Sequence, residues 1–295
     1  MRAKSLDILL TFFMILAALL FLIPIIVTIA DSFMTSGEIS ANYGAMFNNM
    51  NGSEQTYISE NVNLKLIPDE VTVSQYRSVL TANPDYLVKF WNSVRLTVPI
   101  TLFQLLVALL ASYGFSRYPS KLKGIIFFAY IILMIMPYQV TLVPNFLVAK
   151  RFGLLNTRSA IILPAIFSPF SIYLMTKVMR RIPVSYIEAA KLDGANELQI
   201  LMKIYAPLCK NALIAIGLLI FIDYWNMVEQ PLILMSSDEA KAMQPLSVFL
   251  AQINTQDIGL AFAVGVVYMI PSLLLFLYFE DSLVDGIVSS GGIKG

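Results

Sequence analysis

Five stretches of the chain run for 18 to 26 residues without one Asp, Glu, Lys or Arg: residues 8–30, 96–116, 124–149, 159–176 and 258–279. About 20 apolar residues suffice to cross the hydrocarbon of a bilayer. A sixth stretch, 211–235, is equally apolar apart from Asp223 and Glu229. Lipid offers the backbone no hydrogen-bond partners, so runs of this length must be helices. The expectation is an all-α integral membrane protein with six transmembrane helices. Hydrophobic residues make up 58% of the 295 and charged ones 13%, about half the usual charged share of roughly 25%, which a water-soluble domain could not accommodate.

The first run follows Arg2 and Lys4, as a signal peptide would. It is longer than a signal core of about 7–15 residues, and no small-residue cleavage site precedes Asp31, so it reads as an uncleaved anchor. Orientation follows the distribution of Lys and Arg near span ends. With the N-terminus inside, twelve of these residues fall on the cytoplasmic side and seven outside. Lys150, Arg151 and Arg158 in a short outside loop count against this orientation, but the balance puts both termini in the cytoplasm.

Several chemistries are excluded by composition. There is no histidine for imidazole metal sites, and the single Cys209 allows no intrachain disulfide. A net charge of +1 provides no basic field for nucleic acid. No Gly-rich Lys-Ser/Thr phosphate loop is present. No catalytic residue, metal or cofactor is expected on this chain.

The outside loop 31–90 carries seven acids and three bases, with turn signals at Asn51-Gly52 and Asn83-Pro84 and a possible short strand at Val71-Thr72-Val73. It reads equally as a small cap or docking surface and as a solvated insertion. Pro137, Pro144, Pro164, Pro169 and Pro271 are expected to break or kink their helices.

Between the fourth and fifth spans, residues 180–209 read RRIPVSYIEAAKLDGANELQILMKIYAPLC. The local chemistry is that of two short helices with a break. Pro183 precedes the first, Ser185 and Glu188 have capping-box spacing, and Gly194 supplies a residue to end it. The second helix runs roughly over residues 196–205 with Leu198, Leu201, Met202 and Tyr205 on one face, and Pro207 stops it. On physical grounds alone, an interfacial amphipathic hairpin and a protein-docking elbow are comparable readings.

The residue identities separate them. Glu188-Ala189-Ala190, then Gly194 four residues on, then Ile204-Tyr205-Ala206-Pro207 after nine more, resembles the EAA loop of the membrane subunits of binding-protein-dependent ABC importers. Asp193-Gly194-Ala195 is typical of that loop; Ala206 departs from it, standing where Leu is usual. Trp225-Asn226 with Pro231-Leu232-Ile233-Leu234, Gln244-Pro245-Leu246 and the closing Gly291-Gly292-Ile293-Lys294-Gly295 are similar to the MalG-type carbohydrate permease subunits. The resemblance covers most of residues 85–295 and implies the ABC importer permease (MetI-like) fold.

The resemblance divides the chain into an N-terminal tip and first helix (1–30), an extracytoplasmic loop (31–90), a five-helix permease core (91–285) containing the coupling loop 180–209, and a cytoplasmic tail (286–295). It implies a second, homologous permease subunit as partner, two cytoplasmic ATPase subunits seated on the EAA loops, an extracytoplasmic sugar-binding protein, and cargo moved by alternating access. Glu188, Ala189, Ala190, Asp193, Gly194, Ile204 and Pro207 become the ATPase-coupling candidates. Glu188 would anchor to a basic residue of the ATPase, or serve only as the capping partner of Ser185. Gly292, Lys294 and Gly295 are candidates for a tail that touches the ATPase, against plain disorder.

Charges within spans are costly and mark functional sites. Asp223 lies about 18 Å along the fifth span, at roughly 1.5 Å per residue, and is expected to face the pathway or a partner subunit; Arg95 is a conceivable counter-ion, with snorkelling to the headgroups its favoured role. Glu229, sharing a helical face with Trp225 and Asn226 by spacing, is a second pathway candidate or an interfacial residue. Trp225 and Asn226 complete the pathway candidates, with ordinary packing as the competing role of the aromatic. A non-sugar cargo such as a polyamine or phosphate is the nearest alternative function. A secondary transporter is more distant, since no inverted repeat is visible.

Overall fold

A computed structural model of the chain describes residues 2–39, 41–43, 65–117, 120–252 and 258–291. The described residues form helices and turns with no strand. The principal helices are α1 (Arg2–Asp31), α2 (Pro84–Arg117), α3 (Lys121–Ile135), α4 (Tyr138–Arg151), α5 (Ser159–Ala165), α6 (Pro169–Met179), α7 (Val184–Leu192), α8 (Glu197–Leu208), α9 (Lys210–Trp225), α10 (Glu229–Leu234), α11 (Leu246–Ala251) and α12 (Ile258–Gly291). Four helical segments are individually long and apolar enough to cross a membrane, and the total is six if two bent pairs each make one span.

The bends have identifiable causes. The third expected span is split into α3 and α4, which meet at 105°. Met136 precedes Pro137, and a residue in that position is pushed out of helical conformation by the proline ring; its ψ of 126° and the 144° of Pro137 carry the turn. At 15 residues, α3 is about 22 Å long, so it does not cross alone. The same effect separates α5 from α6. Ser168, extended at ψ 117° before Pro169, accepts a hydrogen bond on its side chain from the Ser171 amide. Pro144, Pro164 and Pro271, in contrast, lie inside continuous helices, so two of the five prolines break their helices and these three do not.

The chain divides into two compact units, Met1–Val88 with Phe249–Ile270 and Lys89–Val248 with Pro271–Gly295. In the first, the most apolar stretch of α1 has no residue buried within the chain. An apolar surface on all sides suits a helix surrounded by lipid or by a partner helix. The described parts of 31–90 pack together at the end of α1. Met34, Ile39 and Tyr43 make a small core with Phe262, Ser32 bonds Tyr76 at 2.7 Å, and the Gln75 amide donates to Ser36 at 2.9 Å. The Tyr43 hydroxyl donates to the fully buried Asp31 at 2.8 Å. Burial, and then that carboxylate, push the Tyr43 phenol well above its usual pKa range. The strand expected at residues 71–73 does not form. The Thr72 amide makes one bond to the Phe33 carbonyl at 2.8 Å and no ladder follows.

The second unit holds the main core: Leu96, Ile100, Leu109 and Tyr113 of α2, Met175 and Met179 of α6, and Ile216 and Ile220 of α9. Gly217 admits close approach of α9 to α2, since a Cβ there would stand 3.0 Å from Leu105 Cδ1. Small residues at such crossings are how helices pack where the hydrophobic effect cannot drive association. Buried polar side chains add tertiary bonds. Ser112 donates to the Ile172 carbonyl at 2.9 Å, and Asn92 donates to that of Ala242 at 2.8 Å while accepting from Arg158 at 3.0 Å.

Candidate functional site: a rigid elbow and an in-membrane cavity

Residues 180–209 fold as the two helices α7 and α8 joined through a tight turn. Ile187 of α7 and Ile200, Leu201 and Tyr205 of α8 are all buried in the main core. Complete burial of such a side chain is worth roughly 1.5–3 kcal/mol, so together they anchor the elbow firmly. The buried face differs from the expected one: Leu201 and Tyr205 are inside, but Leu198 and Met202 are exposed, and Ile200 takes the inner position instead.

The turn is a complete Schellman motif. The Ala195 amide donates to the Ala190 carbonyl at 2.9 Å and the Gly194 amide to that of Lys191 at 3.1 Å. This geometry requires a left-handed residue after the helix, and Gly194 has φ +79°. A Cβ at Gly194 would find no atom within 4 Å, so the constraint is conformational rather than steric.

Capping differs from expectation. Pro183, with φ −60° and ψ 138°, is the N-cap of α7 and makes no side-chain cap bond. Ser185 therefore lies within the first turn and forms no capping box with Glu188. The box is on α8, where the Asn196 side chain accepts from the Gln199 amide and the Gln199 side chain accepts from that of Asn196, both at 2.9 Å. Pro207 also does not stop α8, which continues to Leu208. A wider π turn over Leu201–Tyr205 precedes it, and that widening absorbs a proline, which cannot donate and crowds the carbonyl four residues back. The chain then turns by 77° at Cys209 into α9.

An unanticipated acid fixes the two helices of the elbow. Glu197, the first residue of α8, pairs with Lys191 of α7 at 2.9 Å and lies 3.9 Å from Arg117 of α2. It also accepts a hydrogen bond from the hydroxyl of Tyr113, 84 residues earlier. Glu188 has no hydrogen-bond or ion-pair partner among the described residues and is exposed, as are Ala189, Asp193, Gly194 and Pro207; Ala190 and Ile204 are half-buried. Leu192 beside them is 89% exposed.

The pathway candidates separate. Trp225 is buried, stacked on Phe221 with ring centroids 5.2 Å apart and edge-on to Phe90 at 5.6 Å. It is a packing residue of this unit, unavailable to a solute. Helix α9 ends at Asn226, whose side-chain amide donates to the Ile222 carbonyl at 2.8 Å. Glu229 begins a separate helix, so the shared helical face expected for 225, 226 and 229 does not exist. Its carboxylate accepts from Gln139 of α4 at 3.3 Å. Asp223 is exposed and makes no ion pair with Arg95. It borders a cavity of about 380 Å³ shared with Gln104, Ser168, Ser171 and Tyr224. Gly292, Lys294 and Gly295 lie outside the described residues. Among the described residues no group of three or more Cys, Asp or Glu side chains could hold a metal ion.

Comparison with known proteins agrees with this architecture. Residues 104–286 match the family described as the binding-protein-dependent transport system inner membrane component. The lactose transport system permease protein LacG of Rhizobium radiobacter is 32% identical over 209 residues, 71% of this chain and 77% of its own length. The arabinooligosaccharides transport system permease protein AraQ of Bacillus subtilis is 27% identical over 97% of this chain and 95% of its own. A chain of the crystal structure of a bacterial ABC transporter involved in the import of the acidic polysaccharide alginate superposes with a TM-score of 0.76 and 24% identity, covering 94% of this chain and 96% of that one. With the matched family spanning the elbow, the cavity and all or part of five of the six apolar runs, the chain belongs to the binding-protein-dependent transport system inner membrane components, as a multi-pass permease subunit of an ABC importer.

Proposed function

We propose that this subunit translocates a saccharide, and that the outer surface of the elbow is where a separate ATPase drives it. The single observation that carries the coupling role is the contrast between the two faces of α7 and α8. One face is fixed in the core by Ile187, Ile200 and Tyr205, while the other presents Glu188, Ala189 and Leu192 bare. Small Ala189 lets a partner's backbone approach, and the unpaired Glu188 carboxylate suits a basic side chain on the ATPase. Force applied there passes through the Schellman turn and α8 directly into α9, so closure of an ATPase dimer would be felt as a tilt of α9.

Saccharide cargo rests on what the relatives carry, lactose and arabinooligosaccharides. The reading places the elbow and both termini in the cytoplasm and the cap formed by the described parts of 31–90 outside. A second permease subunit completes the pathway, and an extracytoplasmic binding protein delivers the cargo, as the alginate transporter was solved with its oligosaccharide-bound periplasmic protein. Reconstitution of the whole complex in proteoliposomes tests this. ATP-dependent accumulation of a neutral oligosaccharide that needs the binding protein is the expected result; accumulation of a polyamine or phosphate instead, or uptake independent of ATP, contradicts it.

A further inference from the structure

The cavity beside Asp223 has a composition that the importer reading does not use. Its volume of about 380 Å³ falls within the roughly 300–1,000 Å³ range of small-molecule sites. Gln104 of α2 borders it and is 3% exposed. The Gln104 amide nitrogen donates to Ser171 Oγ at 2.8 Å, but its carbonyl oxygen, also buried, has no partner. Burying such an acceptor unpaired costs about 1–3 kcal/mol, and buried groups left this way call for an explanation. Asp223 faces the same space from α9, with Ser168 and the two rings of Phe170 and Tyr224.

The geometry points to a pyranosyl subsite carried by this subunit, in which Gln104 and Asp223 accept hydrogen bonds from ring hydroxyls. This rests on the saccharide reading above and goes beyond it by naming where in this chain one sugar unit binds. A sugar ring has an apolar face and a rim of hydroxyl donors. The cavity offers an apolar wall of Phe170, Leu219, Ile220 and the Tyr224 ring together with two strong acceptors, which is the complementary arrangement. Other occupants fit less well. A metal ion would have one carboxylate and too few further oxygens. A uronate or phosphate would meet the Asp223 charge with no cation bordering the cavity to offset it. The subsite therefore favours neutral saccharides over acidic ones.

The test is internal competition in proteoliposomes holding the complete transporter and its binding protein. The probe is a mixture of neutral di- to pentasaccharides from partial hydrolysis of glucan, galactan, arabinan and xylan, together with pectic uronate fragments. Internalised species are measured by chromatography and mass spectrometry for wild type, Gln104→Leu and Asp223→Asn. The Asp223 variant is isosteric and exposed to the cavity, so it keeps the test valid if the buried Gln104 variant does not assemble. A site built on hydroxyl recognition predicts that ratios between competing saccharides shift by about fivefold or more on loss of one acceptor, and that Asp223→Asn raises the share of uronates. If a variant assembles and lowers every saccharide by one common factor, or changes none, the subsite is refuted while the importer reading stands. If wild type internalises no saccharide at all, the saccharide reading itself fails, and the subsite with it.

Discussion

Gly194 and Glu188 sit six residues apart on one surface and constrain the protein in different ways. Gly194 holds a left-handed conformation with open space around it. Gly194→Ala is expected to cost about 1 kcal/mol, the usual penalty for a Cβ at positive φ, and to lower the midpoint of thermal unfolding in detergent. An unchanged midpoint would show that the turn tolerates a side chain there. Glu188 is exposed with no partner among the described residues, so Glu188→Ala is expected to leave that midpoint within about 0.5 kcal/mol of wild type while abolishing saccharide-stimulated ATP hydrolysis. Both positions were legible in the sequence, because a Gly ending a helical pattern and an unusual Glu-Ala-Ala spacing are local signals. Glu197 was not. Its partners Tyr113 and Arg117 come from α2, and nothing local marks a tertiary contact.

At the scale of elements, the caps show how near a sequence reading comes and where it slips. Ser185-x-x-Glu188 and Asn196-x-x-Gln199 both have capping-box spacing, yet only the second forms. Pro183 starts the first helix two residues early because its φ is already helical, leaving Ser185 in the first turn. Asn196→Ala is expected to cost about 1 kcal/mol, measurable as a lowered unfolding midpoint, whereas Ser185→Ala should have no effect on it. The reverse ranking would return the cap to Ser185. Truncating the anchor is a stronger perturbation: Ile200→Ala, fully buried, is expected to lose about 2–5 kcal/mol and to loosen the elbow from α2 and α6. Accelerated amide hydrogen exchange confined to α7 and α8 is the measurement that detects this.

For the whole molecule, hydropathy located the long apolar runs but was blind to the direction of the backbone within them. An apolar run reports which residues avoid water, not where the backbone turns within it. The 105° bend at Pro137 and the break between α9 and α10 after Trp225 interrupt runs that read as single spans, and the fixed geometry around Pro137 was the sole local hint of the first. The buried Trp225 was equally obscure, since an aromatic in a span serves core, interface or pathway with the same sequence signature. Topology gives a direct prediction. Cys209 is the one cysteine and is buried, so an introduced thiol reports against a quiet background. Leu192→Cys should react with an impermeant thiol reagent only from the cytoplasmic side and Val73→Cys only from outside. The opposite pattern would invert the orientation and remove the elbow from reach of an ATPase.

The central claim is that the bare face of the elbow, fixed from behind, is the seat of the ATPase. The most direct measurement is the amount of ATPase retained per permease complex after purification in detergent, for wild type, Glu188→Ala and Gly194→Asp, each with unfolding midpoints recorded alongside. The account predicts two ATPase chains per complex for wild type and a marked loss in both variants, with Glu188→Ala as thermally stable as wild type. Full retention by both variants, or no ATPase on the wild-type complex, would contradict it.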